Sequence, residues 1–236
     1  MANKLQNKAK LINRTVHNEK YIECIFELSE PFSKPFLAGQ YVTIKVAEPN
    51  TLRSYSICSD PSDQSKFSLM IDVTPQGVGT TFLKTVEVGT EVELLGPLGR
   101  FILSDGVENK PVVLIGTGSG VAPLKSMAID LIKNREVKGK VILLWGERFS
   151  KTLIWHEELN KLSFEHQNFE LRQVISRPEE GEDCTKGRVT TCLQEMDLPD
   201  ETEYYLCGGK EMINETIEIL KAKGVEENSI FHENFY

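Results

Sequence analysis

The feature that most constrains the fold is a strand-like apolar run that ends in a glycine-rich turn and continues with helical spacing. Residues 112–115 read Val-Val-Leu-Ile, residues 116–120 read Gly-Thr-Gly-Ser-Gly, and a helix-like segment follows. This order predicts a strand, a phosphate-binding loop and a helix. From Gly118 the pattern is G-x-G-x-x-P, and Pro123 suits the first turn of a helix because that turn does not use its N–H group. On these residues alone, an ordinary glycine-rich turn is an equally good interpretation.

Strand and helix patterns alternate from this loop to the C-terminus, which predicts a parallel sheet covered on both faces. The predicted strands are 112–115, 140–145, 169–175, 203–207 and 229–232, and the predicted helices are 124–134, 153–162, 189–196 and 210–223. Ligands of such sheets bind at the carboxyl ends of the strands, near the switch in strand order. The candidate loops are therefore 116–123, 146–148, 176–178 and 207–209.

The first half of the chain has short alternating segments separated by Pro, Gly, Asn and Asp, which predicts a small antiparallel β-barrel. Its predicted strands are 10–16, 21–28, 41–46, 54–59, 67–73 and 91–95, with one helix at 80–86. We therefore expect two domains, at 1–108 and 109–236. The helix is preceded by glycine at 77 and 79, so its N-terminal N–H groups suit either an anion or a simple turn.

Composition excludes several classes of function. The five cysteines include no C-x-x-C pair, which argues against a disulfide framework, a zinc site or an iron–sulfur cluster. A net charge of −8 disfavours nucleic-acid binding. Lys4, Lys8, Lys10 and Arg14 lie in an N-terminal stretch without acidic residues, which is read as a solvated basic arm in preference to a docking patch. No segment has the run of about 18 apolar residues that membrane insertion requires. We expect a cytoplasmic protein without a metal.

Six motifs, taken in order, resemble those of the ferredoxin–NADP(+) reductase family of flavoproteins. They are R-x-Y-S at 53–56, G-x-G-T-x-x-L at 77–83, G-P-L-G-R-F at 96–101, G-x-G-x-G-x-x-P at 116–123, C-G-G at 207–209 and a terminal Glu-x-aromatic. The resemblance covers nearly the whole chain. It implies an N-terminal Greek-key β-barrel that binds FAD and a C-terminal Rossmann-like α/β domain that binds NADPH or NADH.

The resemblance also implies residue roles. The residues that it implies for FAD binding are Arg53, Ser54, Tyr55, Ser56, Ile71, Asp72, Val73, Gly79, Thr80, Thr81, Phe235 and Tyr236. The residues that it implies for binding the nicotinamide coenzyme are Gly116, Thr117, Gly118, Gly120, Pro123, Ser176, Arg177, Cys207, Gly208 and Gly209. Arg53 and Tyr55 are two residues apart at the start of a predicted strand, so their side chains are expected on one face of it. Arg53 would bind the flavin pyrophosphate and Tyr55 would pack on the isoalloxazine. Either Phe235 or Tyr236 would cover the flavin face and swing aside before hydride transfer.

Three residues would carry the chemistry. Ser56 would donate a hydrogen bond to flavin N5, the atom that accepts hydride. Cys207 would pack beside nicotinamide C4 without attacking it, because hydride passes directly between the two rings. Glu233 would belong to the proton network near N5.

The coenzyme's 2′-phosphate separates NADPH from NADH. Ser176 and Arg177 match a phosphate-binding pair of NADPH-dependent members, and Lys186 and Arg188 add charge. Glu147 instead favours NADH, since an acidic residue after the second strand marks NAD in an ordinary Rossmann fold. The balance favours NADPH over NADH.

The expected activity is therefore hydride transfer from NAD(P)H to FAD, followed by single-electron transfer to a separate ferredoxin or flavodoxin. The N-terminal basic residues with Arg100 would attract such an acidic acceptor. Alternatives are a reductase of free flavin or ferric chelates, a reductase subunit of an oxygenase, and a nucleotide-binding regulatory module without flavin. FMN in place of FAD is a further alternative.

Overall fold

In the computed structural model, which describes residues 7–47, 49, 51–182 and 184–234, the chain divides into two units, Met1–Ile102 and Leu103–Tyr236. The segment from Leu103 to Pro111 therefore goes with the second unit, although the sequence placed the boundary near 108. Each unit has its own six-stranded sheet.

The first unit is built from strands in which buried and half-buried side chains alternate, as along Tyr41–Ala47. The strands are β1 (Asn7–Val16), β2 (Tyr21–Leu28), β3 (Tyr41–Ala47), β4 (Thr51–Ser56), β5 (Lys66–Asp72) and β6 (Glu91–Leu98), and the helix between the last two is α1 (Val78–Thr85). The inward-facing residues form one apolar core that includes Leu11, Phe26, Ile44, Leu69 and Leu83. The predicted antiparallel architecture is confirmed.

The strand order β4-β3-β6-β1-β2-β5 is that of a Greek key, because β6 pairs between β1 and β3. Ile57 forms an antiparallel bridge with Leu69, and the Cys58 N–H donates to the Ser68 carbonyl oxygen at 2.9 Å. These contacts join the segment after β4 to β5. The two edge strands of the sheet therefore meet, and the sheet closes into a barrel.

The second unit alternates strands with helices. Its strands are β7 (Val112–Thr117), β8 (Val141–Glu147), β9 (Phe169–Ile175), β10 (Thr185–Lys186), β11 (Glu203–Gly208) and β12 (Ile230–Asn234). Its helices are α2 (Val121–Ile129), α3 (His156–Glu165), α4 (Val189–Glu195) and α5 (Lys210–Ala222), with a π-helical turn at Asp130–Asn134 and short 3₁₀ turns at Val107–Asn109, Gly118–Gly120, Ser150–Thr152 and Glu227–Ser229. The central strands β7, β8 and β11 are almost wholly buried, as expected for a sheet covered on both faces.

The parallel sheet has the order β10-β9-β8-β7-β11-β12, so the chain runs outward in one direction from β7 and then returns to β11 on its other side. β7 and β11 are thus the neighbouring strands at the switch in strand order. The loops that follow them, after Thr117 and after Gly208, emerge at the carboxyl edge where such sheets bind ligands. The predicted parallel fold is confirmed.

Two predicted elements are displaced. β4 ends at Ser56, not at 59, because residues 57 and 58 leave β3 and bond to β5. The third helix begins at His156, because Leu153 has an extended backbone and Trp155 is left-handed, with φ of 56°. Neither change was visible in the sequence periodicity.

A buried carboxylate fixes the start of β11. Glu203 accepts hydrogen bonds from Lys110 Nζ at 2.6 Å, Ser104 Oγ at 2.6 Å and Tyr205 Oη at 2.7 Å. Burial alone would raise the pKa of Glu203, but these three donors outweigh it and the pKa is lowered. The network ties the segment before β7 to the start of β11.

Candidate functional site

In the first unit, the R-x-Y-S motif and the glycine-rich motif meet. A Cβ atom added to Gly79 would lie 2.3 Å from Tyr55 Oη and 2.8 Å from Arg53 Cγ. A larger residue at position 79 would force Tyr55 or Arg53 to move, so glycine lets the first turn of α1 lie directly against both side chains. Arg53 and Tyr55 share one face of β4, as the sequence predicted, and lie beside the start of a helix.

The N-terminus of α1 offers donors toward this place. Its N-cap residue, Gly77, supplies no side-chain cap, and the first intrahelical bond runs from the Thr81 N–H to the Gly77 carbonyl oxygen at 2.9 Å. The N–H groups of residues 78–80 thus precede the helical ladder. The Thr80 hydroxyl donates back to the Pro75 carbonyl oxygen at 2.6 Å, so it fixes the preceding loop. Helix dipole, backbone N–H groups and the exposed Arg53 fit a pyrophosphate.

The aromatic ring of Tyr55 is partly buried against the barrel core. Burial raises the pKa of its phenol to about 12, even though the neighbouring Arg53 lowers it. Tyr55 is therefore neutral at physiological pH. A half-buried, neutral ring held between the barrel and α1 fits packing against the planar ring and ribityl chain of a flavin.

Other residues predicted to bind FAD lie on β4 and β5. The Ser54 hydroxyl hydrogen bonds with Thr43 Oγ1 at 2.9 Å, on the opposite face of β4 from Arg53 and Tyr55. Ser56 also lies on that opposite face and is 7% exposed. Ile71 is a core residue, and the Asp72 carboxylate accepts hydrogen bonds from the N–H and hydroxyl of Thr74.

The side chains of Ile71 and Asp72 are thus engaged in contacts within the protein. The Val73 N–H donates to the Lys20 carbonyl oxygen at 2.8 Å. The Val73 carbonyl oxygen is therefore the backbone group of this residue that could accept a hydrogen bond from FAD.

In the second unit, the loop after β7 is pressed against the end of β11. A Cβ atom on Gly120 would lie 2.1 Å from the Cys207 carbonyl oxygen and 2.9 Å from Gly208 Cα. Gly118 has φ of +56°, which glycine adopts at little cost. Pro123 is buried in the first turn of α2, as predicted. The two loops at the switch point therefore form one backbone surface.

Thr117 and Gly208 complete this surface. A Cβ on Gly208 would come within 2.6 Å of Thr117 Oγ1, so the two residues are neighbours across the β7 and β11 ends. Gly116 pairs in register with Cys207, and Gly209 is the N-cap of α5 with open space around it. The structure thus brings together all the glycine-loop residues predicted in this unit.

Cys207 and Glu233 are register partners on β11 and β12. Cys207 is fully buried, and burial together with the Glu233 carboxylate raises the pKa of its thiol well above the usual range. A protonated thiol is a poor nucleophile, which suits a packing role. Burial likewise raises the pKa of Glu233, which favours its protonated form.

The carboxyl end of β9 presents an exposed cationic group. Ser176 and Arg177 are exposed, and β10 places Lys186 in register with Ile175, the residue before Ser176. Arg188 is exposed two residues further on. These side chains fit an anion such as a phosphate monoester.

The acidic residue expected to mark NAD is turned inward. Glu147 is 5% exposed, and its carboxylate accepts hydrogen bonds from Thr152 Oγ1 at 3.1 Å and from the Arg148 N–H at 3.3 Å. It stabilises the turn after β8. A carboxylate engaged in this way is not presented to a ribose hydroxyl.

The basic N-terminal stretch differs from its sequence interpretation. Lys8 forms an ion pair with Glu91 at 2.7 Å, so strand pairing supplies the acid that the local sequence lacks. Arg14 donates to the Val86 carbonyl oxygen at the end of α1, and Lys4 lies outside the described residues. Lys8 and Arg14 thus have partners within the first unit, and a role of this stretch in docking an acceptor stays a prediction.

Phe235 and Tyr236 lie outside the described residues, so the aromatic cover over the flavin stays a prediction. The side chains that the sequence interpretation missed are Arg14, Ser104, Lys110 and Glu203. Apart from the bond between Tyr205 and Glu203, their hydrogen-bond partners lie at least 69 residues away in the sequence, and no local motif signals such contacts. Among the described residues, no helix has the length and apolar character that a membrane crossing requires.

Comparison with known families assigns each unit. Residues 8–102 match the oxidoreductase FAD-binding domain, and residues 114–218 match the oxidoreductase NAD-binding domain. The two matches coincide with the barrel and the parallel sheet. They account for the cradle at Gly79 and for the glycine loop at the switch point.

Curated relatives include one subunit of the Na(+)-translocating NADH-quinone reductase from several bacteria. The protein of Neisseria meningitidis serogroup C is 30% identical over 212 residues, which are 83% of this chain and 51% of that one. That of Serratia proteamaculans is 27% identical over 206 residues, 80% of this chain and 50% of that one. The chain spans about half the length of these relatives.

Solved structures show the same fold. The Amycolatopsis cytochrome P450 reductase GcoB is 26% identical with a TM-score of 0.89, over 97% of this chain and 69% of that one. A ferredoxin NADP+ reductase from Neisseria gonorrhoeae, with bound FAD and NADP, is 22% identical with a TM-score of 0.83, over 97% of this chain and 98% of that one. The two-domain architecture is therefore shared along the whole chain.

Proposed function

Because the chain belongs to the ferredoxin–NADP(+) reductase-like family of FAD- and NAD-binding oxidoreductases, we propose that it takes electrons from NADPH and delivers them singly to a separate redox protein such as a ferredoxin or flavodoxin. The observation that carries this proposal is the cradle in which Gly79 lies against Arg53 and Tyr55. That arrangement matches the needs of a flavin nucleotide: a cation and helix N-terminus for phosphate beside a ring for stacking. It argues against a regulatory module that has lost its flavin.

When bound, FAD supplies the conversion between two-electron and one-electron chemistry. Each NADPH oxidised to NADP+ would release one proton and reduce two one-electron acceptors. The chain's own residues bind and orient the reactants. Arg53 and the α1 N-terminus would hold the pyrophosphate and Tyr55 would pack on the flavin. Ser56, on the other face of β4 at the end of the strand, would donate a hydrogen bond to flavin N5.

The second unit would bind the nicotinamide coenzyme on the backbone surface formed by Gly116–Gly120 and Gly208. Cys207 would position the nicotinamide through packing, because its raised pKa keeps the thiol protonated. Glu233, whose pKa burial raises, would be the carboxyl group that exchanges protons beside Cys207. Each of these roles follows from where the side chain lies and from its charge.

The class of electron acceptor that the protein prefers distinguishes this proposal from its alternatives. We expect the purified protein to oxidise NADPH with ferredoxin or flavodoxin at a kcat/KM at least about tenfold above that with free riboflavin or ferric citrate. The measurement is steady-state NADPH consumption under anaerobic conditions with each acceptor in turn. A higher value for free flavin or ferric citrate would support a stand-alone flavin or ferric reductase and contradict the protein-acceptor proposal.

A second candidate is the electron-input subunit of a larger assembly. It is favoured by the relatives, which are named as a subunit of an NADH-quinone reductase and are about twice as long as this chain. In that case NADH would be the electron donor. Fast dye reduction with NADH, together with no turnover of ferredoxin or flavodoxin, would favour this candidate.

The proposed preference for NADPH depends on Arg177. We expect Arg177→Ala to lower kcat/KM for NADPH by about tenfold to a hundredfold, because a charge-assisted hydrogen bond to the 2′-phosphate is lost. The value for NADH, which lacks that phosphate, should change less than about twofold. Steady-state kinetics with an artificial dye would measure both values.

The matched control is Lys161→Ala, which removes an exposed cation of the second unit from helix α3, outside the candidate loops. It should leave the ratio of the two coenzymes close to that of the wild type. An Arg177→Ala protein with an unchanged NADPH-to-NADH ratio would contradict the assignment of the 2′-phosphate site.

A further inference from the structure

We propose that Arg14 is a positioning residue for the FAD pyrophosphate, because it holds the C-terminal end of the helix whose N-terminal end binds that group. The inference rests on the proposed function, in which the α1 N-terminus binds phosphate. Arg14 itself lies at the opposite end of α1 and would not touch the cofactor.

Arg14 reaches α1 from the neighbouring strand β1. Its Nη1 donates to the Val86 carbonyl oxygen at 2.6 Å and to the Leu83 carbonyl oxygen at 3.3 Å. Cys24, its register partner on β2, donates from Sγ to the same Leu83 oxygen at 3.8 Å. Two adjacent strands of the barrel therefore hold the last turn of this helix.

The position of the helix depends on tertiary contacts, because an eight-residue helix is marginal in isolation. In its middle, Leu83 is buried in the barrel core. At its N-terminal end, Gly79 approaches Arg53 and Tyr55. At its C-terminal end, the Arg14 side chain supplies the hydrogen bonds that fix the last turn.

Charge adds to this geometry. The last carbonyl groups of a helix carry partial negative charge and its first N–H groups carry partial positive charge. The half-buried Arg14 neutralises the negative end, which leaves the positive end to act on an anion. Arg14 therefore both fixes where the phosphate-binding N–H groups lie and favours an anion beside them.

The experiment uses apoprotein forms of the wild type, Arg14→Gln, Arg14→Lys and, as the matched control, Lys10→Ala. Lys10 is an exposed cation on the same strand. FAD affinity is measured by quenching of flavin fluorescence, and the protection of α1 is measured by amide hydrogen exchange. We expect Arg14→Gln to weaken FAD binding by about tenfold and Arg14→Lys, which retains a cationic donor, by about threefold.

Faster exchange should be confined to α1, with β2 and β5 unchanged, and Lys10→Ala should match the wild type. The inference is overturned if Arg14→Gln binds FAD as the wild type does, or if its exchange accelerates throughout the barrel. Failure of the wild type to bind FAD would instead contradict the proposed function.

Discussion

Replacement of Gly120 by alanine is expected to destabilise the second unit by about 3 kcal/mol and to weaken coenzyme binding by at least about tenfold. The added methyl would lie 2.1 Å from the Cys207 carbonyl oxygen and 2.5 Å from the Cys207 carbonyl carbon. Both are backbone atoms at the end of a buried strand, so no side-chain rotation relieves the clash. The glycine loop must move away from β11, and the surface for the coenzyme pyrophosphate is lost.

Thermal unfolding would measure the loss of stability, and titration with NADP+ would measure the loss of affinity. The control for stability is Gly209→Ala, because Gly209 has φ of −70° and nothing within 4 Å of an added Cβ. That substitution should cost about 1 kcal/mol or less, which is the cost of alanine at the N-cap of a helix. Equal unfolding temperatures for the two variants would contradict the close approach of the two loops.

Replacement of Arg53 by alanine is expected to weaken FAD binding by about a hundredfold. Arg53 is the exposed cation beside the N-terminus of α1, and its Nη1 makes one protein hydrogen bond, to the Leu52 carbonyl oxygen at 2.8 Å. Its remaining donors would bind the pyrophosphate, and charge-assisted bonds to phosphate contribute about 1.5–3 kcal/mol each. The barrel should stay folded, because the guanidinium lies outside the core.

Flavin content after purification and FAD titration of the apoprotein would measure this effect. Arg53→Lys should recover only part of the affinity, since lysine lacks the planar fork of donors. Lys45→Ala is the matched control for charge, because Lys45 lies on the neighbouring strand β3 and pairs with Glu93 at 3.2 Å. Near-equal losses for Arg53→Ala and Lys45→Ala would show that only net charge matters.

The sequence predicted the parts of the fold that depend on periodicity and on glycine spacing. The run before Gly116 and the glycines after it correctly located the strand, the turn and the switch-point loop, because a close backbone approach requires glycine wherever it occurs. The R-x-Y-S pattern likewise placed Arg53 and Tyr55 on one face. These features are local, so a local pattern can reveal them.

The features that were missed depend on contacts between distant segments. Arg14 caps a helix 72 residues later, and Lys8 pairs with Glu91, so neither could be distinguished from a solvated basic arm in the sequence. Glu147 was interpreted from its position after a strand. Its burial and its bond to Thr152 depend on the path of the following loop.

The central claim is that the chain binds FAD and that NADPH reduces it. The most direct measurement is an anaerobic titration of the FAD-loaded protein with NADPH, followed through the visible flavin absorption band, with NADH as the comparison. The account predicts that about one equivalent of NADPH bleaches the band and that added ferredoxin or flavodoxin restores it. A protein that shows no flavin band after addition of FAD, or whose band survives excess NADPH and NADH, would contradict the account.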